Sequence, residues 1–167
     1  MDDYVILVNE RDEALGVREK LQAHRDGALH RAFSVFIFND DGALLLQRRH
    51  PAKYHSGGLW SNACCGHPRP GEDVREAAER RLGEELGFSV TLEPRFTLLY
   101  KEKVSDGLLE HELDHVLAGR FNGTPTPNAD EVDAWRWVAP GRLASELAER
   151  PEAFTVWFRR IQEERGR

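Results

Sequence analysis

The spacing of apolar and polar positions predicts a chain that begins with strands and ends with helices. Tyr4 to Val8 is a short apolar run that reads as a buried strand. Ala32 to Phe38 is a second, aromatic and β-branched. The turn Asn39-Asp40-Asp41-Gly42 joins it to a third, Ala43 to Arg48, as in a hairpin. From His50 to Gly71 the glycines and prolines predict a loop. Asp73 to Leu86 is the clearest helix: it opens with acids, is rich in Ala, Glu, Arg and Leu, and stops at Gly87. Strands are expected near Phe96 to Tyr100, Glu110 to Arg120 and Trp135 to Val138. Amphipathic helices are expected around Gly141 to Glu149 and Ala153 to Glu164. This mixture predicts an α/β (α+β) domain, a mixed β-sheet sandwiched between helices.

Length narrows the picture to one domain over residues 1–167, large enough to bury a core without disulfides. Net charge is −6 and no Lys/Arg run dominates, which argues against a general nucleic-acid binder but leaves room for a local anion site. The only cysteines, Cys64 and Cys65, are adjacent and imply no disulfide framework. A reducing cytoplasm is the expected compartment. The start, MDDYVILVNERDE, reads as neither a signal peptide nor a membrane span. Oligomeric state is not legible.

The candidate chemistry lies in the loop and the helix after it. In GHPRPGEDVREAAERRLGEELGF, the residues Gly66, Glu72, Arg80, Leu82, Glu84, Glu85, Gly87 and Phe88 stand at the positions of a Nudix box. Physically, a loop feeds a helix whose end presents carboxylates, hard oxygen ligands for Mg²⁺ on a diphosphate. The acids alone would fit a solvated helix face, but the full spacing with its glycines does not. Arg81 departs from the pattern, standing where a Nudix hydrolase has Glu. The change removes a metal carboxylate and offers a cation for phosphate oxygens.

Just upstream, GLWSNACCGHP resembles the cysteine signature of type 1 isopentenyl diphosphate isomerases, members of the Nudix superfamily. VILVN, the EKLQAH ending at His24, the LHRAFSVFIF starting at Leu29, and Tyr100 with Glu110-His111-Glu112 extend that similarity over nearly the whole chain. The resemblance implies a Nudix fold and a metal site of His24, His30, His67, Glu110 and Glu112. Three imidazoles with two carboxylates would suit Mn²⁺, Fe²⁺, Zn²⁺ or a tolerant Mg²⁺ site. On a strand, Glu110 and Glu112 would share a face where a cation relieves their repulsion, while His111 and His115 point away. His50, His55, His111 and His115 are read as ordinary histidines, and Asp114 has no assignable role. A second Mg²⁺ is implied at Glu85 and the Cys65 carbonyl, bridging the substrate diphosphate. Lys20, Arg49, Lys53 and Arg81 resemble the family's phosphate contacts.

The implied reaction interconverts isopentenyl and dimethylallyl diphosphate through a tertiary carbocation. Cys65 and Glu112 would carry protons on opposite sides of the alkene, Glu112 aided by Tyr100. Trp157 would face the cation with its ring. Cys64 is taken as structural. The alternatives are a Nudix hydrolase of a nucleotide or other diphosphate, supported by the box and opposed by Arg81 and the cysteine motif, and a non-catalytic sensor.

Overall fold

The computed structural model describes residues 3–165. In chain order the elements are strands β1 (Tyr4–Val8) and β2 (Ala14–Glu19), helix α1 (Lys20–Asp26), strands β3 (His30–Phe38), β4 (Leu44–Arg49), β5 (Trp60–Ser61) and β6 (Cys64–Gly66), helix α2 (Val74–Leu86), strands β7 (Glu93–Lys103), β8 (Leu109–Arg120) and β9 (Val132–Val138), and helices α3 (Pro140–Glu149) and α4 (Val156–Arg165).

β3 organises the sheet. Along one edge it pairs in parallel with β8 over its full length, from His30↔Glu112 to Phe38↔Arg120. Its other edge is shared by β1 near His30, by β6 from Phe33 to Val35, and by β4 at Phe38. β7 extends the sheet beyond β8, and β9 beyond β4, both antiparallel. Side chains alternate across a strand. Phe33, Val35 and Ile37 therefore enter one core with Ala77, Ala78, Leu82 and Leu86 of α2. Phe36 enters a second core with Leu143 of α3 and Trp157, Phe158 and Ile161 of α4. A strand buried on both faces, with helices on either side, is the expected mixed sandwich.

The helix of the Nudix box forms as expected and is capped at both ends. The Asp73 carboxylate accepts from the Glu76 amide, a cap worth about 1 kcal/mol. Gly87 closes it with φ +73°, and a Cβ there would lie 2.6 Å from the Thr126 carbonyl oxygen. The box's Glu72, Arg80 and Glu84 are engaged structurally. Arg80 pairs with Glu72 at 2.8 Å and with Glu84 at 2.9 Å, tying the loop to the helix.

Three features differ from expectation. The stretch from His50 to Gly71 is not all loop, because β5 and β6 interrupt it. Strands of two and three residues are too short to leave a period, and tertiary pairing with β3 and β4 creates them. The strand Ala14–Glu19 was not expected because it is mostly exposed and lacks alternation. α1 is only seven residues long and buries only Ala23 and His24, so it carries no helical stripe. α1 matters all the same, since it delivers Lys20 and His24 to the site.

Candidate active site

Register places the site. His30 of β3 stands beside Glu112 of β8, and Tyr100 of β7 stands beside Glu112 from the far side. On the opposite edge of β3, Cys65 stands beside Ser34. Directly paired residues share a face, and His30 and Ser34 have the same parity. Tyr100, Glu112, His30, Ser34 and Cys65 thus belong to the face covered by α4. Cys64 and Gly66 turn to the α2 face. There Gly66 lies so close to Phe33 that a Cβ would come within 2.8 Å of the ring.

His24, His30, His67 and Glu112 each present one donor atom, and these atoms lie within 4.8 Å of one another. His30 Nε2 and His67 Nε2 approach the same Glu112 oxygen, Oε2, at 3.1 and 3.0 Å. Glu110 adjoins through His24, with 3.6 Å between Oε2 and Nε2. The Nδ1 atoms of His24 and His30 meet the carbonyls of Lys20 and Ala28 at 2.7 and 2.8 Å. A carbonyl only accepts, so Nδ1 carries the hydrogen in both rings and Nε2 is turned inward. Such outer contacts fix ligand rings. His24 Nε2 and Glu110 Oε2 are buried and lack a hydrogen-bond partner among the described residues. Unpartnered buried polar atoms are costly, and these converge on one point. The cluster can hold a divalent metal ion, and its imidazole and carboxylate donors suit one.

Electrostatics agree with the geometry. Burial alone would raise Glu110, yet its close neighbours Glu112, His24 and His55 hold it well below the usual carboxylate range. Burial alone would lower His24, but Glu110 and Glu112 outweigh it and raise the imidazole above its ordinary value. For His67 burial wins and pushes it down to about 3, which keeps its ring neutral.

Cys65 lies on the other flank. Its Sγ receives the indole N–H of Trp157 at 2.9 Å and approaches Asn62 Oδ1 at 3.3 Å. Asn62 is fully buried, and its Nδ2 donates to the carbonyls of Val35 and Cys64. Burial pushes the Cys65 thiol up to about 12, with Asp114 acting the same way. Asp114 is itself raised well above its ordinary value by burial beside Glu112, so burial dominates the thiol's shift. Tyr100 donates its hydroxyl to Glu112 Oε1 at 2.8 Å.

A pocket of about 160 Å³ joins the two flanks. Cys65, His67, Glu110, Glu112 and Trp157 line it, together with Lys20, Arg49, Lys53 and Arg81. The four cations sought in the sequence therefore meet in one place. Arg81 contacts Glu85 at 2.7 Å and Glu131 at 2.6 Å, and Lys53 contacts the same Glu131 oxygen at 3.3 Å. Arg49 lies over the Trp157 ring, 5.0 Å from its centroid. Glu85 is set deeper, outside the pocket wall. Its Oε2 meets Arg81 and the Cys64 thiol, and its Oε1 accepts from Gln47.

Residues 28–158 match the NUDIX domain family. The chain is 51% identical to an isopentenyl-diphosphate Delta-isomerase of Burkholderia multivorans over 99% of its own length and 94% of the relative's. It is 48% identical to one from Serratia proteamaculans, covering 99% and 93% of the two chains. The chain belongs to the isopentenyl-diphosphate Delta-isomerase family of Nudix proteins. Solved structures give the same fold. A Deinococcus radiodurans protein superimposes with a TM-score of 0.72 at 25% identity, covering 87% of this chain and 89% of that one. The MutT protein of Methanosarcina mazei does so with 0.61 at 21% identity, covering 83% and 96%. Within the isomerase family the hydrolase alternative loses ground, and Arg81 gives a physical reason. At the box position where a hydrolase carries Glu, its guanidinium pairs with Glu85 and Glu131 and offers a metal no carboxylate.

Four residues near the site had no role in the sequence reading. His55 is buried and its Nε2 meets Glu110 Oε1 at 2.6 Å. Asp114 accepts from Ser34 at 2.7 Å, and Cys65 Sγ lies 3.8 Å from that hydroxyl. Asn62 fixes the cysteine turn. The parity of β8 already put Asp114 on the face of Glu112, but no periodicity marks His55 or Asn62 inside a glycine-rich loop. His50, His111 and His115 are occupied elsewhere, with the Ala52 amide, the Gly27 carbonyl and Asp12.

Proposed function

We propose that this chain interconverts isopentenyl and dimethylallyl diphosphate, with Cys65 and Glu112 carrying the protons. One observation carries the reading. A thiol held in its protonated form and a carboxylate within the imidazole cluster line one small pocket, with the Trp157 indole donating its N–H to the thiol sulfur. The forward reaction forms a C–H bond at the terminal methylene carbon and breaks one at the carbon two positions away. Between these events the charge is a tertiary carbocation. Water must be kept out and no strong nucleophile may touch that carbon. Burial serves both needs, because it keeps Cys65 a neutral thiol rather than a thiolate. The Trp157 ring, 4% exposed, offers a quadrupole to the cation, and its N–H steadies the sulfur when the proton leaves.

His24, His30, His67, Glu110 and Glu112 would hold a divalent metal ion, Mn²⁺, Mg²⁺ or Zn²⁺. Such an ion would draw charge from Glu112 and lower its affinity for a proton. The Tyr100 hydroxyl keeps Glu112 Oε1 turned to a fixed direction. The diphosphate is read as lying against Lys20, Arg49, Lys53 and Arg81, where charge-assisted hydrogen bonds are strongest. A second Mg²⁺ at Glu85 and the Cys65 carbonyl fits less directly. Both Glu85 oxygens are already engaged, and Arg81 would have to leave one of them and turn to the phosphate.

The test is turnover of isopentenyl diphosphate in Mg²⁺, with and without Mn²⁺ or Zn²⁺, followed as dimethylallyl diphosphate, with Cys65→Ala alongside. Product from the native chain and none from the variant supports the reading. Release of phosphate without isomerisation in any metal contradicts it.

A further inference from the structure

His55 is one of the most enclosed polar side chains near the site, 2% exposed and on a loop. Its Nε2 lies 2.6 Å from Glu110 Oε1 and its Nδ1 3.1 Å from Ser56 Oγ. The ring is packed edge-on against Trp157, centroids 5.6 Å apart at 83°, and touches Tyr54 and His24. The loop is held in an uncommon conformation to put it there. Ser56 has φ +54°, a left-handed backbone that non-glycine residues seldom adopt, and its amide donates to Ser105 Oγ. Arg49 pins the His55 carbonyl at 3.2 Å.

The two Glu110 oxygens have different surroundings. Oε2 faces His24 Nε2 and has no hydrogen-bond partner among the described residues, whereas Oε1 meets His55. A carboxylate that gives one oxygen to a cation leaves the other to be satisfied inside a dry wall. His24, His55 and Glu110 also present donor atoms within 4.8 Å of one another, but the 2.6 Å separation tells against His55 sharing one ion with Glu110. Two adjacent ligands at about 2.1 Å from one ion and about 90° apart stand roughly 3.0 Å from each other. Separations well below that belong to a charge-assisted hydrogen bond. The pair lies at hydrogen-bond distance, yet Nε2 has no formed hydrogen bond among the described residues. Catalytic and ligand hydrogen bonds often straighten only when the site is filled.

We propose that His55 is a positioning residue of the metal centre. Its Nε2–H holds Glu110 Oε1 and so keeps Oε2 turned toward the cation. This rests on the reading that the histidine–glutamate cluster holds one divalent ion. Through its edge-on contact with Trp157, His55 also joins the metal flank of the pocket to the cysteine flank.

The test uses the full chain with Zn²⁺ in competition with a chelating dye, and Co²⁺ as a spectroscopic probe. His55→Phe keeps a buried ring and removes the donor, while His55→Gln keeps a donor at the same reach. Native protein should bind one equivalent. His55→Phe should still bind one equivalent with Kd raised about 10- to 100-fold, the usual loss for an outer partner, and His55→Gln should recover most of it. The Co²⁺ absorption should keep its position and intensity in both variants, since no ligand is lost. If His55→Phe misfolds, the His55→Gln and His55→Asn pair decides, the shorter amide reproducing the loss. Native affinity in the variants that lack the donor would overturn the proposal while leaving the metal reading intact. A Co²⁺ spectrum that changes coordination in His55→Phe would overturn it in favour of direct ligation. Failure of the native chain to bind either ion would sink the metal reading and this proposal with it.

Discussion

Replacing Trp157 by Phe removes one atom group of known position and leaves an aromatic ring. The indole N–H lies 2.9 Å from Cys65 Sγ. When the thiol gives up its proton, that donor faces a thiolate, and a hydrogen bond to a charged group contributes about 1.5–3 kcal/mol. Its loss falls on the state in which sulfur is charged, so the barrier rises by a similar amount and kcat drops about 10- to 100-fold. The thiol, already pushed up to about 12 by burial, should move further up. A Phe ring still covers Arg49 and still faces the carbocation, though less strongly than indole. KM should therefore change by no more than about threefold, because uniform binding is largely kept. Steady-state kinetics on isopentenyl diphosphate give both constants, and a melting curve checks that the buried ring is accommodated. A folded Trp157→Phe protein with kcat within about threefold of native would refute the contact between indole and thiol as a working part of the site.

Other consequences are as direct. Glu85→Gln should raise the Michaelis constant and the Mg²⁺ requirement while leaving metal bound at the histidine cluster, as measured by kinetics and metal content; unchanged Mg²⁺ dependence and Michaelis constant would remove Glu85 from diphosphate binding. The raised His24 has a definite sign. Its pairing with Glu110 and Glu112 stabilises the fold without metal below the ordinary imidazole pKa and is lost as pH rises through the raised value. Metal must expel that proton, so affinity measured by chelator competition should climb with pH through this window and then level off. An affinity that falls with pH there would contradict it. Gly87→Ala should cost about 2 kcal/mol, from the left-handed backbone and the Thr126 carbonyl at 2.6 Å, and lower Tm by roughly 4–8 °C; an unchanged Tm would show that the cap relaxes freely.

Much of this fold was legible because its strong signals are local. The helix to Leu86 announces itself through composition, Asp73 and Gly87, and the strands from Ala32 and Glu110 through their apolar runs. β8 could even be read for orientation, since Glu110 and Glu112 do point inward while His111 and His115 turn away. The parts that stayed hidden depend on distant partners. β6 exists because β3 pairs with it, and α1 is a short capped turn that buries one histidine. The site was legible through resemblance more than through physics. Composition and spacing made Cys65 a small buried thiol and the histidines ordinary. The pairing of His30 with Glu112 and of Ser34 with Cys65 brings both flanks onto one face, and no local rule encodes that pairing. His55 escaped for the same reason, being placed by a strained loop that is anchored by nearby Arg49 and by Ser105, far along the chain.

The most direct test of the central claim is isomerisation in D₂O with the product examined by NMR. Proton delivery at one end of the allyl unit and removal at the other predicts dimethylallyl diphosphate carrying solvent deuterium in a methyl group. Glu112→Gln and Cys65→Ala should both abolish that label. Product formed without deuterium, or formed unchanged by Cys65→Ala, would contradict proton delivery and removal by Cys65 and Glu112 on opposite sides of the alkene.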